Sequence, residues 1–342
     1  MVRDTRRSGH RDTPRRTLVR IAAEAGVSVS AVSKVLNGRT DVAAPTRIRI
    51  AGLLRQHGYQ VASRLGFGVV DLLMASLHGP WAEELIRGTV EAASEAGVSV
   101  VVTTVDSPEE FTRWFDRAAA RGTDGALCVL HLPGSRELQR MAAAQIPLIL
   151  IDPPEEPHES VRSVGTTNWQ GGMTATRHLI ELGHRRIAAI GGPEGFWSSR
   201  ARMAGYRAAL QAAALPADEE LVRREEFSAA GGRTQAERLL SLPEPPTAIV
   251  AGCDSQAFGV LQALGARGLR APGDLSVVGF DDVQMASWAT PALTTIRQPL
   301  AAMAATGFRM LRSDPATASG EPHHIELTTT LVVRDSTAPP RS

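Results

Sequence analysis

From Gly68 onward, short apolar runs alternate with stretches of helical period, and this alternation restricts the body of the 342-residue chain to a parallel α/β architecture. The apolar runs fall at Val69–Ala75, Val98–Val102, Ala126–Leu130, Pro147–Ile151, Ile187–Ile190, Ala248–Ala251 and Leu275–Gly279. Between them lie Trp81–Ala96, Glu109–Ala120, Arg136–Ala143, Gly171–Leu182, Ser199–Ala214, Thr234–Ser241 and Gln256–Arg267, each amphipathic at helical spacing. Strands that read as continuous apolar runs are buried on both faces, so helices must cover both sides. The body is too long for one sheet of ordinary size, and the pattern restarts near Ser163–Gly165. Two doubly wound lobes are expected, dividing there.

Ahead of the body lies a segment of different character. Residues 1–64 hold 13 Lys and Arg against 4 Asp and Glu, a net of +9, whereas the remaining 278 residues carry a net of −8. A basic head on an acidic body points to a polyanion as the partner of the head. Residues 1–16 are polar, rich in Arg and without periodicity, and are expected to be disordered. Leu18, Ile21, Ala22 and Ala25 then recur at helical spacing until Gly26. Ser28 occupies an N-cap position before a short helix over Val29–Leu36, and a third helix runs from Pro45 or Thr46 to Gln56. Two short helices joined by a tight turn and braced by a third describe a helix-turn-helix over 17–59. Gly26 fits the turn because that corner requires positive φ, and Ala25 lets the helices approach.

Other classes find no support. The chain has no P-loop, HExxH, GxSxG or GxGxxG following a strand, so no enzyme is expected. Cys128 and Cys253 are too few for a disulfide framework and lack metal-ligand spacing, and neither a cofactor nor a metal is expected. His184, in the turn ELGHRR, reads as structural. No apolar run approaches the roughly 18 residues of a membrane span. The N-terminal charges precede no apolar segment, which favours a cytoplasmic, nucleoid-associated protein over a secreted sugar-binding receptor.

The residues also carry a specific resemblance. TLVRIAAEAGVSVSAVSKVLNG followed by VAAPTRIRIAGLLRQHGY closely resembles the headpiece of the lactose-repressor/galactose-repressor (LacI/GalR) family of bacterial transcription regulators. NWQGGMTATRHLIELGHRRIAAIGGP, SSRARMAGYRAAL, VVGFDD and PALTTIRQPL follow in the family's order, so the match spans about 17–335. The resemblance implies a homodimer bound to near-palindromic operator DNA, probed by a small carbohydrate effector between two lobes like those of periplasmic sugar-binding proteins (type I). It also implies a first lobe of about 69–163 plus 297–326 and a second of about 164–296 plus 327–335. The function so implied is a transcriptional repressor.

Within the headpiece, Val29, Ser30 and Lys34 match the positions that read bases, while Thr17, Ser28, Ser33, Asn37, Thr46 and Arg47 match positions that donate to the DNA backbone. Val29 can pack on a thymine methyl, Ser30 donates or accepts, and Lys34 suits guanine O6 and N7. Core packing is the other role open to Val29. The family continues after the headpiece tyrosine with Pro-Asn and a hinge helix whose leucine wedges into the minor groove. Here Tyr59 is followed by QVASRLGFG, a short linker over 60–68 in which Leu65 is either that wedge or a linker or core residue.

A sugar site combines aromatic faces with planar polar groups. Trp81, Trp169, Trp197, Phe196 and Phe227 fall in loops or helix starts toward the expected cleft. Asp152 ends the strand LILID and Asp281 follows VVGF, at the strand ends where α/β sheets bind ligands. By resemblance, Arg200 is the arginine that grips the effector and Asp281 the cleft aspartate. Asp254 either caps the helix after it or touches ligand, and Trp288 is expected to pack beneath a crossover. The stretch DLL…HGPWAEELIRG is faintly similar to actinobacterial regulators of plant-polysaccharide use, which implies a xylo- or cello-type saccharide. The tail after Leu331 carries no leucine heptad, which favours a dimer over a tetramer.

Overall fold

Helices α1 (Pro14–Ala25), α2 (Val29–Leu36) and α3 (Ala44–Gln56) open the fold in the computed structural model, which describes residues 14–36, 42–57, 59, 68–157, 161–313 and 323–341. Helix α1 begins inside the stretch expected to be disordered. Proline suits a first helical position, where its missing N–H costs nothing, so residues 14–16 belong to the helix. Residues 1–13 and the linker up to 67 lie outside the described residues.

The first sheet collects β1 (Val69–Met74), β2 (Ser99–Thr104), β3 (Ala126–Val129), β4 (Leu148–Ile151) and β5 (Ser163–Thr166), with α4 (Pro80–Glu95), α5 (Pro108–Arg121) and α6 (Ser135–Ala143) between them. The chain then crosses to a second sheet of β6 (Ile187–Gly191), β7 (Val222–Arg224), β8 (Ala248–Ala251), β9 (Ser276–Asp281) and β10 (Thr294–Arg297). Its helices are α7 (Asn168–Glu181), α8 (Trp197–Ala212), α9 (Ala229–Leu239), α10 (Asp254–Ala266) and α11 (Gln284–Trp288). A return crossing places α12 (Leu300–Arg312) and β11 (His324–Leu327) on the first lobe, and a last one adds β12 (Thr330–Val332) to the second sheet.

The strand orders are β2-β1-β3-β4-β5-β11 and β7-β6-β8-β9-β10-β12. Every pair is parallel except β10 with β12. Strand β5 pairs with β4, Leu150 opposite Ser163, so the first crossing comes after Thr166 rather than at 163. Leu327 likewise pairs with Thr166, which moves the last crossing one residue past the expected place. These boundaries escape a periodicity argument because β5, SVGT, has hardly more apolar content than a loop.

Alternation within strands divides each core in two. Leu72 and Met74 pack with α4 and α12, whereas Leu73 faces Phe111, Trp114 and Met141 of α5 and α6. In the second lobe Ile190 and Ile249 meet α9 and α10, while Ala189 and Val250 meet α7 and α8. Helices α7 and α8 touch backbone to backbone. A Cβ on Gly172 would stand 2.1 Å from the Arg202 carbonyl oxygen, and one on Gly205 2.0 Å from that of Trp169. Only glycine allows this approach, and it sets the start of α7 against the second and third turns of α8.

The second lobe extends past residue 335. Ser336 Oγ donates to the Val277 carbonyl at 2.6 Å, and buried His184 joins Thr247, Ser276 and the Ala338 carbonyl at 2.9 to 3.1 Å. Burial holds the His184 imidazole below its ordinary pKa, partly offset by the Ala338 contact.

Candidate functional site

The headpiece closes on Ile21, Ala22, Ala25, Val32, Val35, Ile50 and Leu54, all buried. Gly26 turns the chain between α1 and α2 at φ +63°, and the Val27 N–H donates to the Ala22 carbonyl at 3.0 Å. Ser28 caps α2, its Oγ accepting from the Ala31 N–H at 3.2 Å. Val32 and Val35 anchor the inner face of α2, which leaves its first residues outside. Val29 is 39 % exposed, so it is not a core residue, and Ser30 is exposed beside it. Lys34 follows Ser30 by four residues and shares its face. Lys34, Ser33, Thr17, Thr46 and Arg47 are all partly exposed. An α2 with exposed N-terminal residues is the geometry a helix-turn-helix presents to the major groove. Asn37 and Leu65 lie outside the described residues.

Between the lobes lies a cleft of 430 Å³ at the carboxyl ends of the strands. Trp81, on the first turn of α4, and Leu130 line it from the first lobe, and Phe196, Phe227 and Arg202 from the second. Phe196 and Phe227 meet edge to face with centroids 6.0 Å apart. Asp152 and Asp281 stand at its edge with φ of +46° and +127°. Such backbone is rare for L-residues and concentrates at functional sites.

Arg202, 7 % exposed, carries the positive charge of this cleft. Its Nε donates to Asn168 Oδ1 at 2.8 Å and its Nη1 to the Gly252 carbonyl at 2.6 Å. Asp281 Oδ1 lies 3.9 Å from Nη1, and the guanidinium covers the Phe280 ring at 3.7 Å. Burial pushes Asp281 up to about 6 and lifts Asp152 as well, while Arg202 opposes both shifts.

Several residues take places other than those expected. Arg200 is exposed and donates to the carbonyls of Glu194 and Gly195, both at 2.9 Å, so it does not reach the cleft. The cause is helical phase. With α8 starting at Trp197, Ser198 and Arg202 are four apart and face the cleft together, while Arg200 falls between them on the far side. Trp169 and Trp197 line an adjoining cavity rather than the cleft itself. Cys253, not Asp254, caps α10, its Sγ accepting from the Gln256 N–H at 3.4 Å. Asp254 is buried, binding the Val283 N–H at 3.0 Å and the Thr295 hydroxyl at 2.5 Å. Trp288 lies 67 % exposed on α11 instead of under a crossover.

Comparison with known proteins matches residues 17–61 to the family described as bacterial regulatory proteins, lacI family, and residues 176–337 to the periplasmic binding protein-like domain. The chain is 31 % identical over 333 residues to the HTH-type transcriptional regulator DegA of Bacillus subtilis, covering 94 % of this chain and 98 % of the relative. The chain belongs to the LacI family. Among solved structures, the transcriptional regulator CelR-cellobiose complex superposes with a TM-score of 0.71 at 33 % identity, covering 93 % of this chain and 99 % of that one. The lac repressor dimer bound to operator and the anti-inducer ONPF gives 0.69 at 26 % identity, over 93 % and 98 %. This LacI-family chain is therefore a DNA-binding transcriptional regulator, with the headpiece as its DNA-binding part.

Sequence reasoning missed Arg202, Asn168 and Gln298. Arg202 was legible from the helical phase of SSRAR once the start of α8 is placed. Gln298 gave no such signal: it lies between β10 and α12, where its Nε2 donates to Asp281 Oδ1 at 2.6 Å.

Proposed function

We propose that this regulator is a repressor released or engaged by a small carbohydrate bound in the inter-lobe cleft. The observation that carries the reading is the pairing of Arg202, Asp152 and Asp281 with the aromatic faces of Trp81 and Phe227 in one cavity. Planar charged groups satisfy several hydroxyls at once, and aromatic rings cover the apolar faces of a pyranose. The cellobiose complex of the similar CelR lends the carbohydrate class further support. Of the residues assigned by sequence to the effector, Trp81, Phe227, Asp152 and Asp281 keep that role and Arg202 replaces Arg200.

The regulator acts as a homodimer on near-palindromic DNA, with Val29, Ser30 and Lys34 reading bases and Thr17, Ser28, Ser33, Thr46 and Arg47 holding phosphates. Met285 and Trp288 on the short α11 and Val90 on α4 leave large apolar side chains in solvent, which supports burial between subunits. Fluorescence anisotropy with DNA from upstream of the chain's own gene, with and without a panel of sugars, tests the reading. Specific binding tighter than to random DNA by about a thousandfold or more is expected, with one sugar class shifting it. Equal binding to both DNAs overturns the operator assignment, and a panel without any sugar binding overturns the carbohydrate one. Reporter expression that rises when the protein is supplied overturns repression.

A further inference from the structure

The helices of the first lobe sort their charges by end. Helices α4, α5 and α6 follow the carboxyl ends of β1, β2 and β3, so they begin at the cleft and run down to the face where the strands start. Acidic residues occupy their first turns, Glu83 on α4, Glu109 and Glu110 on α5 and Glu137 on α6. Arginines occupy last turns, Arg121 on α5, Arg140 on α6, and Arg309 and Arg312 on α12. Helix dipoles favour this arrangement, and its outcome is a lobe with a negative cleft end and a positive lower face. The headpiece joins at that lower face. Gly68 accepts from the Ser99 N–H, and a Cβ on it would stand 3.2 Å from the Gly97 carbonyl oxygen, just past α4. Residues 60–67 alone separate Gly68 from Tyr59, which caps that span at about 30 Å.

Helices α4 and α12 touch midway down α4, where a Cβ on Gly88 would stand 2.6 Å from Ala301 Cα. Below that contact a groove of 420 Å³ opens between them, with Phe308 and alanines on its walls and Glu95, Arg309 and Arg312 as its charged residues. Arg121 and Arg140 are engaged by Asp71 and Asp116, at 2.6 and 2.8 Å. Arg309 and Arg312 are exposed, and among the described residues neither has a carboxylate partner. Arg309 donates to the Thr306 hydroxyl at 2.8 Å, and the Arg312 guanidinium lies 5.7 Å from the centre of the Phe308 ring. These contacts steady the side chains and leave further N–H donors on each guanidinium. Arg162 adds a third guanidinium at the end of α12, donating to Ser313 Oγ at 2.9 Å.

Guanidinium groups with donors to spare, on the face that carries the headpiece, suit phosphate oxygens. We propose that the lower face of the first lobe is a second DNA-binding surface, with Arg309 and Arg312 holding backbone phosphates of the duplex that the headpiece reads. The contact carries no sequence information and adds affinity that salt weakens. Because it sits on the lobe, it changes with lobe rotation without passing through the linker.

The salt dependence of DNA binding by the full-length protein tests it, on upstream and random-sequence duplexes alike. Each phosphate contact contributes about 0.9 to the slope of log affinity against log salt. Arg309→Gln combined with Arg312→Gln should lower that slope by about two on both duplexes. The affinity lost at about 50 mM salt should then exceed that lost at about 200 mM by about tenfold. Arg309→Lys combined with Arg312→Lys keeps both charges and should keep most of the slope, which a fold defect would not. Arg113→Gln combined with Arg136→Gln removes the same charge from exposed positions nearer the cleft end and should leave the slope unchanged. An unaltered slope in the Arg309 and Arg312 glutamine variant overturns the second surface. So does an equal fall in the Arg113 and Arg136 variant, a lysine pair that behaves like the glutamine pair, or a loss confined to one duplex.

Discussion

Replacing Arg202 with methionine removes the positive charge that faces Asp152 and Asp281 and deprives Asn168 Oδ1 and the Gly252 carbonyl of their donors. Methionine keeps much of the side-chain volume, so the cavity term stays small. The remaining cost is electrostatic, and breaking a buried ion pair from one side costs about 3–5 kcal/mol. That is a large share of the roughly 5–15 kcal/mol that holds a domain together. Urea unfolding of Arg202→Met should therefore show this loss at unchanged denaturant slope. Adding Asp281→Asn removes one of the carboxylates left without a counter-charge, so the double variant should be more stable than the single one. Both variants should bind DNA with unaltered affinity and fail to respond to effector. A single-variant loss below about 1 kcal/mol, or two losses that simply add, refutes the account of Arg202 as the counter-charge of the cleft.

Three further outcomes are expected. Asp281 binds its proton near pH 6 when folded and near 3.9 when unfolded, so its contribution is fully present below pH 4 and is lost as pH rises through about 6; the stability of Asp281→Asn relative to wild type should accordingly rise across that window, and a flat difference refutes the shift. Lys34→Ala should cost about 1–3 kcal/mol of DNA affinity concentrated at one base position per half-site, whereas a uniform loss with a salt slope shallower by about one marks a phosphate contact instead. Trp288→Glu should shift sedimentation velocity toward monomer without lowering the thermal midpoint at equal monomer content, and an unchanged dimer places the interface elsewhere.

What the sequence made legible follows from where its signals are strong. Buried parallel strands such as AIVA and ALCV, covered on both faces, announce themselves as apolar runs. The headpiece was readable because Gly26 and Ser28 each have a local task that a few residue types perform. The strands that join the lobes were not: β5, SVGT, and β11, HIEL, pair with each other across more than 150 residues of sequence. The cleft was half legible. Asp152 and Asp281 are marked by their strand ends, but choosing between Arg200 and Arg202 needs the first residue of α8, and helix starts are the least certain feature of a sequence reading. Trp288 was misplaced because a tryptophan is ordinarily highly buried, whereas the short α11 leaves this one in solvent.

The three crossings between lobes are tied to one another and to the cleft. Thr166 Oγ1 donates to Gln298 Oε1 at 2.9 Å, Gln298 Nε2 donates to Asp281 Oδ1 at 2.6 Å, and Thr167 meets Thr329 at 3.0 Å. Just below, Asp282 accepts from Arg297 and Arg334, each at 2.6 Å, bridging β10 to the segment after β12. A rotation of one lobe on the other must carry this set as a unit or break part of it. Asp281 lines the same cavity as Trp81 of the first lobe and Arg202 of the second, so an effector held there as proposed would meet a residue one hydrogen bond from Gln298. Coupling between ligand and DNA needs a differential affinity of only about 1–3 kcal/mol. One hydrogen bond to a charged group is worth about 1.5–3 kcal/mol. One exchanged contact of the Asp281–Gln298–Thr166 chain is thus of the size that such coupling would require.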